Sequence, residues 1–408
     1  MKATSVTAIL LAARLFFPSS SFAQTKSKEA AAYASSGIAK LKRHDFDGAI
    51  LDFNRALQFD PKLAKVYVDR GVAKQGKRDL DGAIADFNRA LQFDPRLADA
   101  HYNRGLAKTH RHQLIAYGGV DISRRNYEAN PKLNRSDLDG AIADYSRALQ
   151  LDPKNANAYH GRGIAKSELG DFDGAIADFN RALQLDPQNA KTYNTLGNAK
   201  SRKGDLEGAI ADYNHSLQLD PKNAKAFHNR GIAKIDSGDA VGAITDFNRT
   251  LQLDLKDTFT YEGRGSANFL ARNWTAALAD YRRSFELSRS NQYPHIGIWM
   301  IRSRLGEREA ANKEFATHFS AEPGSWLSKV KRYLLGDLSE SEFLAAVSPD
   351  LKISPGQRCK GWFYAGMKNL LDGNKTAAAE FFKKCVATGQ RSVVEHAFAK
   401  AELKALGQ

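Results

Sequence analysis

Residues 156–189 read ANAYHGRGIAKSELGDFDGAIADFNRALQLDPQN, and this stretch decides the fold because most of the chain repeats it. Its Gly-Ala-Ile tripeptide recurs with glycines at 48, 82, 140, 174, 208 and 242, at intervals of 34, 58, 34, 34 and 34 residues. Asp-Pro pairs recur in step, at 60–61, 94–95, 152–153, 186–187 and 220–221. A fixed period of this length indicates an array of identical supersecondary units.

Each unit is predicted to be a pair of antiparallel helices. Pro153 ends the preceding helix because it has no N–H, and Asp152 is predicted to cap the helix over residues 156–169. Gly170 supplies a left-handed turn, and Asp171 caps the second helix. The first two units carry His44 and Arg78 at the turn position instead of Gly. We therefore expect the N-terminal end of the array to be locally weaker.

The second helix of this unit places apolar residues on one face, namely Ala175, Ile176, Phe179, Ala182 and Leu183. Small residues at Gly163 and Ala175 let the two helices approach closely. A single hairpin cannot bury such a face alone, so neighbouring hairpins must stack. Bulky side chains at Ala175 or Ala182 are predicted to destabilise the array by about 1–3 kcal/mol.

This 34-residue period with its Gly and Asp-Pro positions resembles the tetratricopeptide-repeat (TPR) family over at least residues 30–290. The resemblance implies an all-α TPR solenoid, a right-handed superhelix of antiparallel hairpins that binds partners along its concave face. We predict about eight repeats in residues 30–320, a divergent helical connector at 321–355, and a TPR-like hairpin at 356–408. The hairpin ends in a capping helix whose Lys400, Glu402 and Lys404 face water.

The C-terminal region also resembles periplasmic TPR lipoproteins of the NlpI type, over roughly residues 325–406. The residues that carry this likeness are Cys359-x-x-x-Phe363-Tyr364 and Glu395-His396 followed by Glu402-Leu403. It implies an adaptor in the cell envelope. No Cys directly follows the N-terminal apolar stretch, so the lipobox of that group is absent.

The first 23 residues are typical of a signal peptide. Lys2 precedes an apolar stretch from Val6 to Phe17, and the small residues Ser21 and Ala23 fit cleavage after Ala23. Arg14 interrupts the stretch, and a short buried helix is the alternative. No later segment approaches the length of a transmembrane helix. The sequence predicts a periplasmic or secreted protein.

The chain is basic, with 60 Lys and Arg against 46 Asp and Glu, a net charge of +14. Loss of Lys2 and Arg14 with the signal leaves 14 − 2 = +12. Such a charge favours acidic partners, such as acidic proteins or an acidic envelope polymer. Nucleic acid is not expected, because export argues against it and the cations are spread through every repeat.

Acidic and basic residues recur in register along the array. We interpret the recurring arginines (Arg70, Arg104, Arg162, Arg230 and Arg264) as ion-pair partners of Asp side chains or of helix C-termini. The recurring aspartates are structural rather than catalytic (Asp52, Asp86, Asp144, Asp178, Asp212, Asp246 and Asp280).

The two cysteines, Cys359 and Cys385, lie 14 residues before and 12 residues after Gly373. In an antiparallel hairpin these positions lie at similar height, so a disulfide is geometrically possible, and export would favour it. The alternative is a pair of buried thiols acting as small apolar residues.

The 58-residue interval contains 24 extra residues, at about 111–134. Arg124 and Arg125 beside Tyr127 could bind an acidic or aromatic ligand. The alternative is a lengthened helix and loop that only spaces two blocks of repeats.

No motif for catalysis, for a phosphate or for a metal is found, and the ten histidines are scattered. The sequence predicts no cofactor, no metal and no enzyme activity. An enzyme with its site in the insertion or in the C-terminal unit has no support beyond the unexplained insertion.

The leading hypothesis is a scaffold that binds a protein or peptide on the concave face. An envelope-polymer or carbohydrate-binding module using the basic surface is the alternative. The candidate binding residues form a polar and basic cluster on two successive first helices: Lys191, Asn194, Asn198, Arg202, Lys225, His228 and Asn229. Glu262 is a further candidate for lining the same face.

Overall fold

The computed structural model describes residues 19–117, 135–347, 353–391 and 393–408, and these residues form helices and turns. Most of the predicted signal peptide and of the insertion, including Arg124, Arg125 and Tyr127, lies outside them. The contacts divide the chain into two compact units, the first ending at Pro187 and the second beginning at Gln188. The predicted all-α array of helical hairpins is confirmed.

The described part of the first unit contains four hairpins, and the odd-numbered helix of each hairpin is its first helix. The helices are α1 (Ser19–Lys42), α2 (Phe46–Phe59), α3 (Ala64–Gly76), α4 (Leu80–Phe93), α5 (Ala98–Tyr117), α6 (Ser136–Leu151), α7 (Ala156–Leu169) and α8 (Phe172–Leu185).

The second unit, over its described residues, contains six hairpins and a final helix. Its helices are α9 (Ala190–Lys203), α10 (Leu206–Leu219), α11 (Ala224–Ser237), α12 (Ala240–Leu253), α13 (Thr258–Leu270), α14 (Trp274–Leu287), α15 (Tyr293–Arg304), α16 (Arg308–His318), α17 (Trp326–Leu335), α18 (Glu340–Ala345), α19 (Pro355–Leu371), α20 (Lys375–Ala387) and α21 (Val394–Ala405).

The hairpin of α7 and α8 follows the sequence prediction closely. Gly170 adopts φ 88° between the helices, and the Asp171 side chain accepts a hydrogen bond from the Gly174 N–H. The prediction that Asp152 caps α7 is wrong. Asn155 is the cap and accepts from the Ala158 N–H at 2.9 Å, whereas Asp152 accepts from Lys154 inside the preceding turn. The reason is distance, since three residues separate Asp152 from the start of α7.

One large aromatic ring closes each regular hairpin. Phe179 of α8 is fully buried, and a Cβ built on Gly163 of α7 would lie 2.7 Å from its ring. Only glycine permits this approach, and burial of such a ring contributes about 2–3 kcal/mol. Ala175 and Ala182 are also buried, while Ile176 is half-buried.

Some turns between paired helices have a non-Gly residue at the left-handed position. His44, Arg78 and Arg272 adopt φ of 61°, 64° and 62°. The first two are the positions where the sequence predicts weaker turns. A left-handed conformation costs a residue with a side chain about 1–2 kcal/mol.

The recurring arginines form ion pairs, as predicted. In the repeat of α7 and α8, the Arg162 guanidinium donates two hydrogen bonds to Asp178, at 2.7 and 2.9 Å, and Lys166 lies 2.8 Å from the same carboxylate. The same pairing of an Arg with the Asp of its own repeat is formed by Arg70, Arg104, Arg230 and Arg264. These pairs tie the first helix to the second helix of the same hairpin.

The insertion begins as a continuation of α5, which extends to Tyr117. Arg111, in this extra length, pairs with Asp81 at 2.6 Å and also with Asp137. The described part of the insertion therefore lengthens a helix and fixes it to α4 of the preceding hairpin and to α6 of its own hairpin.

Candidate partner-binding face

The face formed by the first helices of the hairpins, here called the first-helix face, carries the predicted binding residues. Lys191, Asn194, Asn198 and Arg202 are spaced by three or four residues, which places them along one side of α9. Lys225 and His228 lie on the corresponding side of α11. Both helices belong to the second unit, and they contact each other.

A row of hydrogen-bonded polar side chains crosses these first helices. The side-chain N–H of Asn229 on α11 donates a hydrogen bond to the side-chain amide oxygen of Asn194 on α9 at 3.2 Å, and both side chains are buried. His228 of α11 is hydrogen-bonded through Nδ1 to Thr260 of α13 at 2.7 Å. Asn198 accepts from the Tyr213 hydroxyl at 2.7 Å. Because buried polar groups are costly unless paired, this row fixes the register of α9, α11 and α13.

The predicted residues therefore divide into two sets. Asn194, His228 and Asn229 are buried and hold the helices together, with Asn198 half-buried beside them. The cations of the cluster, Lys191, Arg202 and Lys225, are exposed. Exposed cations can contact a partner at the surface of the protein.

The C-terminal helix α21 covers the next part of the first-helix face. It contacts α11 and α13 as well as α19 and α20. Phe398 packs against Phe269 of α13 with ring centroids 4.5 Å apart and the rings tilted by 38°, and Val394 packs against the cluster around Ile235 of α11. Part of the first-helix face of the sixth and seventh hairpins is thus occupied by the chain itself.

The prediction that Glu402 faces water is wrong. Glu402 is only 2% exposed, and its carboxylate lies 2.9 Å from Arg304 and 3.2 Å from Arg272. Both guanidinium groups also lie over the Trp274 ring, at 5.0 and 5.4 Å from its centroid. The helix folds back on the array, so a residue on its apparently polar side meets two cations. Lys400 and Lys404 are exposed as predicted.

Glu262 of α13 lies where α21 meets the first-helix face. Its Oε1 accepts hydrogen bonds from Ser284, at 2.9 Å, and from Asn291. Burial raises the pKa of Glu262 to about 7, against the opposing effect of the Ser284 hydrogen bond. Glu262 is therefore partly protonated at neutral pH.

The two cysteines meet in the last hairpin. Cys359 of α19 and Cys385 of α20 are fully buried free thiols with their Sγ atoms 2.8 Å apart. Burial raises the pKa of Cys385, so its thiol form is favoured.

Sequence reasoning missed Thr260 and the contributions of the C-terminal unit. Thr260 gives no signal of its own in the sequence, because the equivalent repeat position holds Ala158, Thr192 and Ala226, so a Thr there is within the pattern. Tyr364 and Glu395, which are hydrogen-bonded at 2.9 Å, carry no such signal because they lie outside the regular period. Within the described residues, no group of three or more metal-ligating side chains is found.

Comparison with known protein families identifies the repeat. Models described as tetratricopeptide repeat match residues 132–193 and 179–211, and one described as TPR repeat matches residues 77–108 and 197–238. TPR repeats are thus present in both units. Proteins built from them typically act as protein–protein interaction scaffolds and bind protein or peptide partners.

Solved structures of TPR proteins are similar to the chain. A tetratricopeptide repeat protein from Parabacteroides merdae is 14% identical, with TM-score 0.49, over 66% of this chain and 98% of its own. MamA is 23% identical, with TM-score 0.38, over 48% of this chain and 95% of its own. YrrB, described as a TPR protein with an unusual peptide-binding site, is 17% identical, with TM-score 0.39, over 51% of this chain and 95% of its own.

Proposed function

We propose that this chain is a non-catalytic scaffold that binds an acidic, extended segment of a partner protein on the first-helix face of α9 and α11. The observation that carries the proposal is the set of exposed cations, Lys191, Arg202 and Lys225, beside the polar row of Asn194 and Asn229. Exposed cations favour an acidic partner, and the paired polar groups give the surface one fixed shape.

The extent of this site follows from the position of α21. Because α21 lies against α11 and α13, a partner segment on this face of the second unit is directed to α9 and the adjoining side of α11. A segment that crosses two first helices as an extended peptide would meet Lys191, Arg202 and Lys225 in turn.

We further propose that the scaffold works in the cell envelope. The support is the sequence of residues 1–23 and the likeness of the C-terminal region to envelope adaptors. No helix within the described residues is long and apolar enough to cross a bilayer. Fractionation of cells, with N-terminal sequencing of the exported protein, is expected to find Gln24 as the first residue. An unprocessed chain in the cytoplasm would overturn this location.

Export would expose the chain to oxidising conditions, and we propose a disulfide between Cys359 and Cys385. The two Sγ atoms are already in contact, so the bond needs only a small shift. Closing a loop across 26 residues is expected to contribute about 3 kcal/mol. Thiol titration of protein unfolded without reductant should then find no free thiol. Two free thiols per chain would rule the bond out.

The binding site is tested by charge reversal. Lys191→Glu, Arg202→Glu and Lys225→Glu are combined in one variant, because each of the three residues is exposed. A matched control combines Arg249→Glu, Lys256→Glu and Arg289→Glu, three exposed cations of the second unit outside the first helices. Both variants change the net charge equally.

Each protein is crosslinked in intact cells, purified and analysed by mass spectrometry. We expect one protein partner to be captured by the wild type and by the control, and to be lost at least tenfold in the first-helix variant. Equal loss in both variants would indicate binding by net charge alone, as for an acidic envelope polymer. A partner retained by both variants would place the binding site elsewhere.

A further inference from the structure

A cavity of about 100 Å³ lies within the second unit, between α21 and α19 on one side and the first helices α11, α13 and α15 on the other. It is partly open to solvent. Aromatic side chains form part of its walls, with Phe259, Tyr281, Tyr293 and Phe363 among them. Two carboxylates also line it, Glu262 from α13 and Glu395 from α21.

Each of the two carboxylates accepts hydrogen bonds from protein groups through one of its two oxygens. Glu262 accepts its hydrogen bonds from Ser284 and Asn291 on Oε1 alone. Glu395 is 6% exposed and accepts from the Tyr364 hydroxyl on Oε1. A carboxylate has about four acceptor positions, so each of these groups can still accept hydrogen bonds through Oε2.

Both carboxylates affect the pKa of one tyrosine, Tyr281. Burial raises the pKa of Tyr281, and the charges of Glu262 and Glu395 raise it further. Tyr281, Glu262 and Glu395 all line the same cavity. Two carboxylates and several aromatic side chains in the lining of one cavity form an environment that favours a cation.

Two other titratable side chains of the cavity, His228 and Lys360, have contacts with neighbouring residues. His228 is held by Thr260 at 2.7 Å. The Lys360 ammonium lies over the Tyr293 ring, 4.8 Å from its centroid, and 3.5 Å from its hydroxyl. The lining of the cavity thus has two carboxylates, Glu262 and Glu395, and one ammonium group, Lys360.

The size of the cavity limits the ligand. An apolar cavity of roughly 150 Å³ accepts benzene, so about 100 Å³ takes a slightly smaller molecule. A guanidinium group is planar, carries five donors and stacks on aromatic faces, which suits two carboxylates among tyrosines.

We propose that this cavity binds a compact organic cation of the guanidinium class, with its charge held between Glu262 and Glu395 against the ring of Tyr281. The group could belong to a free small molecule or to an Arg side chain of a bound protein. This site is separate from the cations of α9 and α11, and it does not depend on the proposed scaffold function.

Calorimetric titration of the purified protein with ethylguanidinium tests the proposal, with neutral ethylurea as the matched probe. We expect ethylguanidinium to bind at millimolar concentration and ethylurea at least tenfold more weakly. Glu395→Gln and Glu262→Gln should each weaken ethylguanidinium at least tenfold. Glu286→Gln removes an exposed carboxylate and should leave binding unchanged.

Ile232→Phe enlarges a wall residue of the cavity and keeps both carboxylates, so it should also abolish binding. Circular dichroism and thermal unfolding identify variants that have lost their fold, and Ile232→Phe provides the decisive result if a carboxylate variant is unstable. Equal binding of ethylguanidinium and ethylurea, or binding that survives both Ile232→Phe and Glu262→Gln, would overturn the proposal.

A short peptide containing one Arg, compared with the same peptide containing citrulline, distinguishes the two sources. Tighter binding of the Arg peptide than of ethylguanidinium, lost in the same variants, assigns the site to a protein side chain. Binding of ethylguanidinium alone assigns it to a free small molecule. If neither binds, the proposal is wrong.

Discussion

The hairpin of α7 and α8 and the C-terminal helix α21 are built by different rules. In the hairpin, Arg162 and Asp178 are 16 residues apart and Gly163 meets Phe179 at the same separation. In α21, Glu402 meets Arg272 and Arg304, which precede it by 130 and 98 residues. The hairpin is stabilised by contacts that its own repeat supplies. The C-terminal helix is stabilised by contacts with distant hairpins. A mutation that destabilises α21 should therefore leave the hairpin of α7 and α8 folded, and the reverse.

Glu402→Gln tests this difference and should have the largest effect on stability. The change leaves the guanidinium groups of Arg304 and Arg272 without a counter-charge, and breaking a buried ion pair costs about 3 kcal/mol. Hydrogen exchange should show faster exchange throughout α21, while α7 and α8 keep their protection. Glu380→Gln, at an exposed pair with Lys383, should have little effect. Equal loss of protection in α7 would mean that the chain unfolds as one body.

Ala175→Leu tests the hairpin in the same way. Ala175 is fully buried between helices, so added atoms overpack the site and should cost about 2 kcal/mol in urea unfolding. Ala177→Leu, two residues away on the exposed side of α8, is the matched control and should change stability by less than about 0.5 kcal/mol. Protection of α21 should not change. Identical unfolding curves for the two variants would contradict the assigned packing.

Arg78→Gly examines a turn that departs from the repeat. Arg78 is exposed and left-handed, and glycine adopts this conformation without a Cβ clash. We expect a gain of about 0.5–1 kcal/mol in the free energy of unfolding, since the greater unfolded-state entropy of glycine offsets part of the relief. The reciprocal change, Gly170→Ala, should destabilise by a similar amount. A loss of stability in Arg78→Gly would show that the Arg side chain stabilises the turn.

The last test concerns the pH dependence of stability at Glu262, where α21 meets the array. Its pKa rises from 4.5 to about 7 on folding, so between these values the native state holds a proton that the unfolded chain has lost. Stability should therefore fall as the pH rises from about 5 to about 7. Glu262→Gln removes this dependence, because its amide does not titrate and its oxygen can still accept from Ser284 and Asn291.

The measurement for Glu262 is the melting temperature of both proteins across this pH range. The advantage of Glu262→Gln over the wild type should grow with pH. Glu286→Gln, at an exposed carboxylate, should show a constant difference. A gap for Glu262→Gln that does not change with pH would contradict the raised pKa.

The sequence by itself determined the regular hairpins. The bounds of α7, the left-handed Gly170, the cap at Asp171 and the pairing of Arg162 with an Asp follow from residue types at fixed offsets. They could be predicted because each depends on contacts within about one repeat length, where local conformational preferences and the 34-residue period agree. The period also identified the side of α9 that carries Lys191 and Arg202.

Only the tertiary structure determined which residues α21 contacts. Its helical pattern predicted a polar side facing water, but the free energy of a carboxylate depends on which charges come near it. Glu402 became buried because α21 folds back onto α13 and α15, and the cavity between Glu262 and Glu395 exists for the same reason. No repeat period links residues more than 90 positions apart, so this contact was set by packing between distant elements rather than by any local pattern.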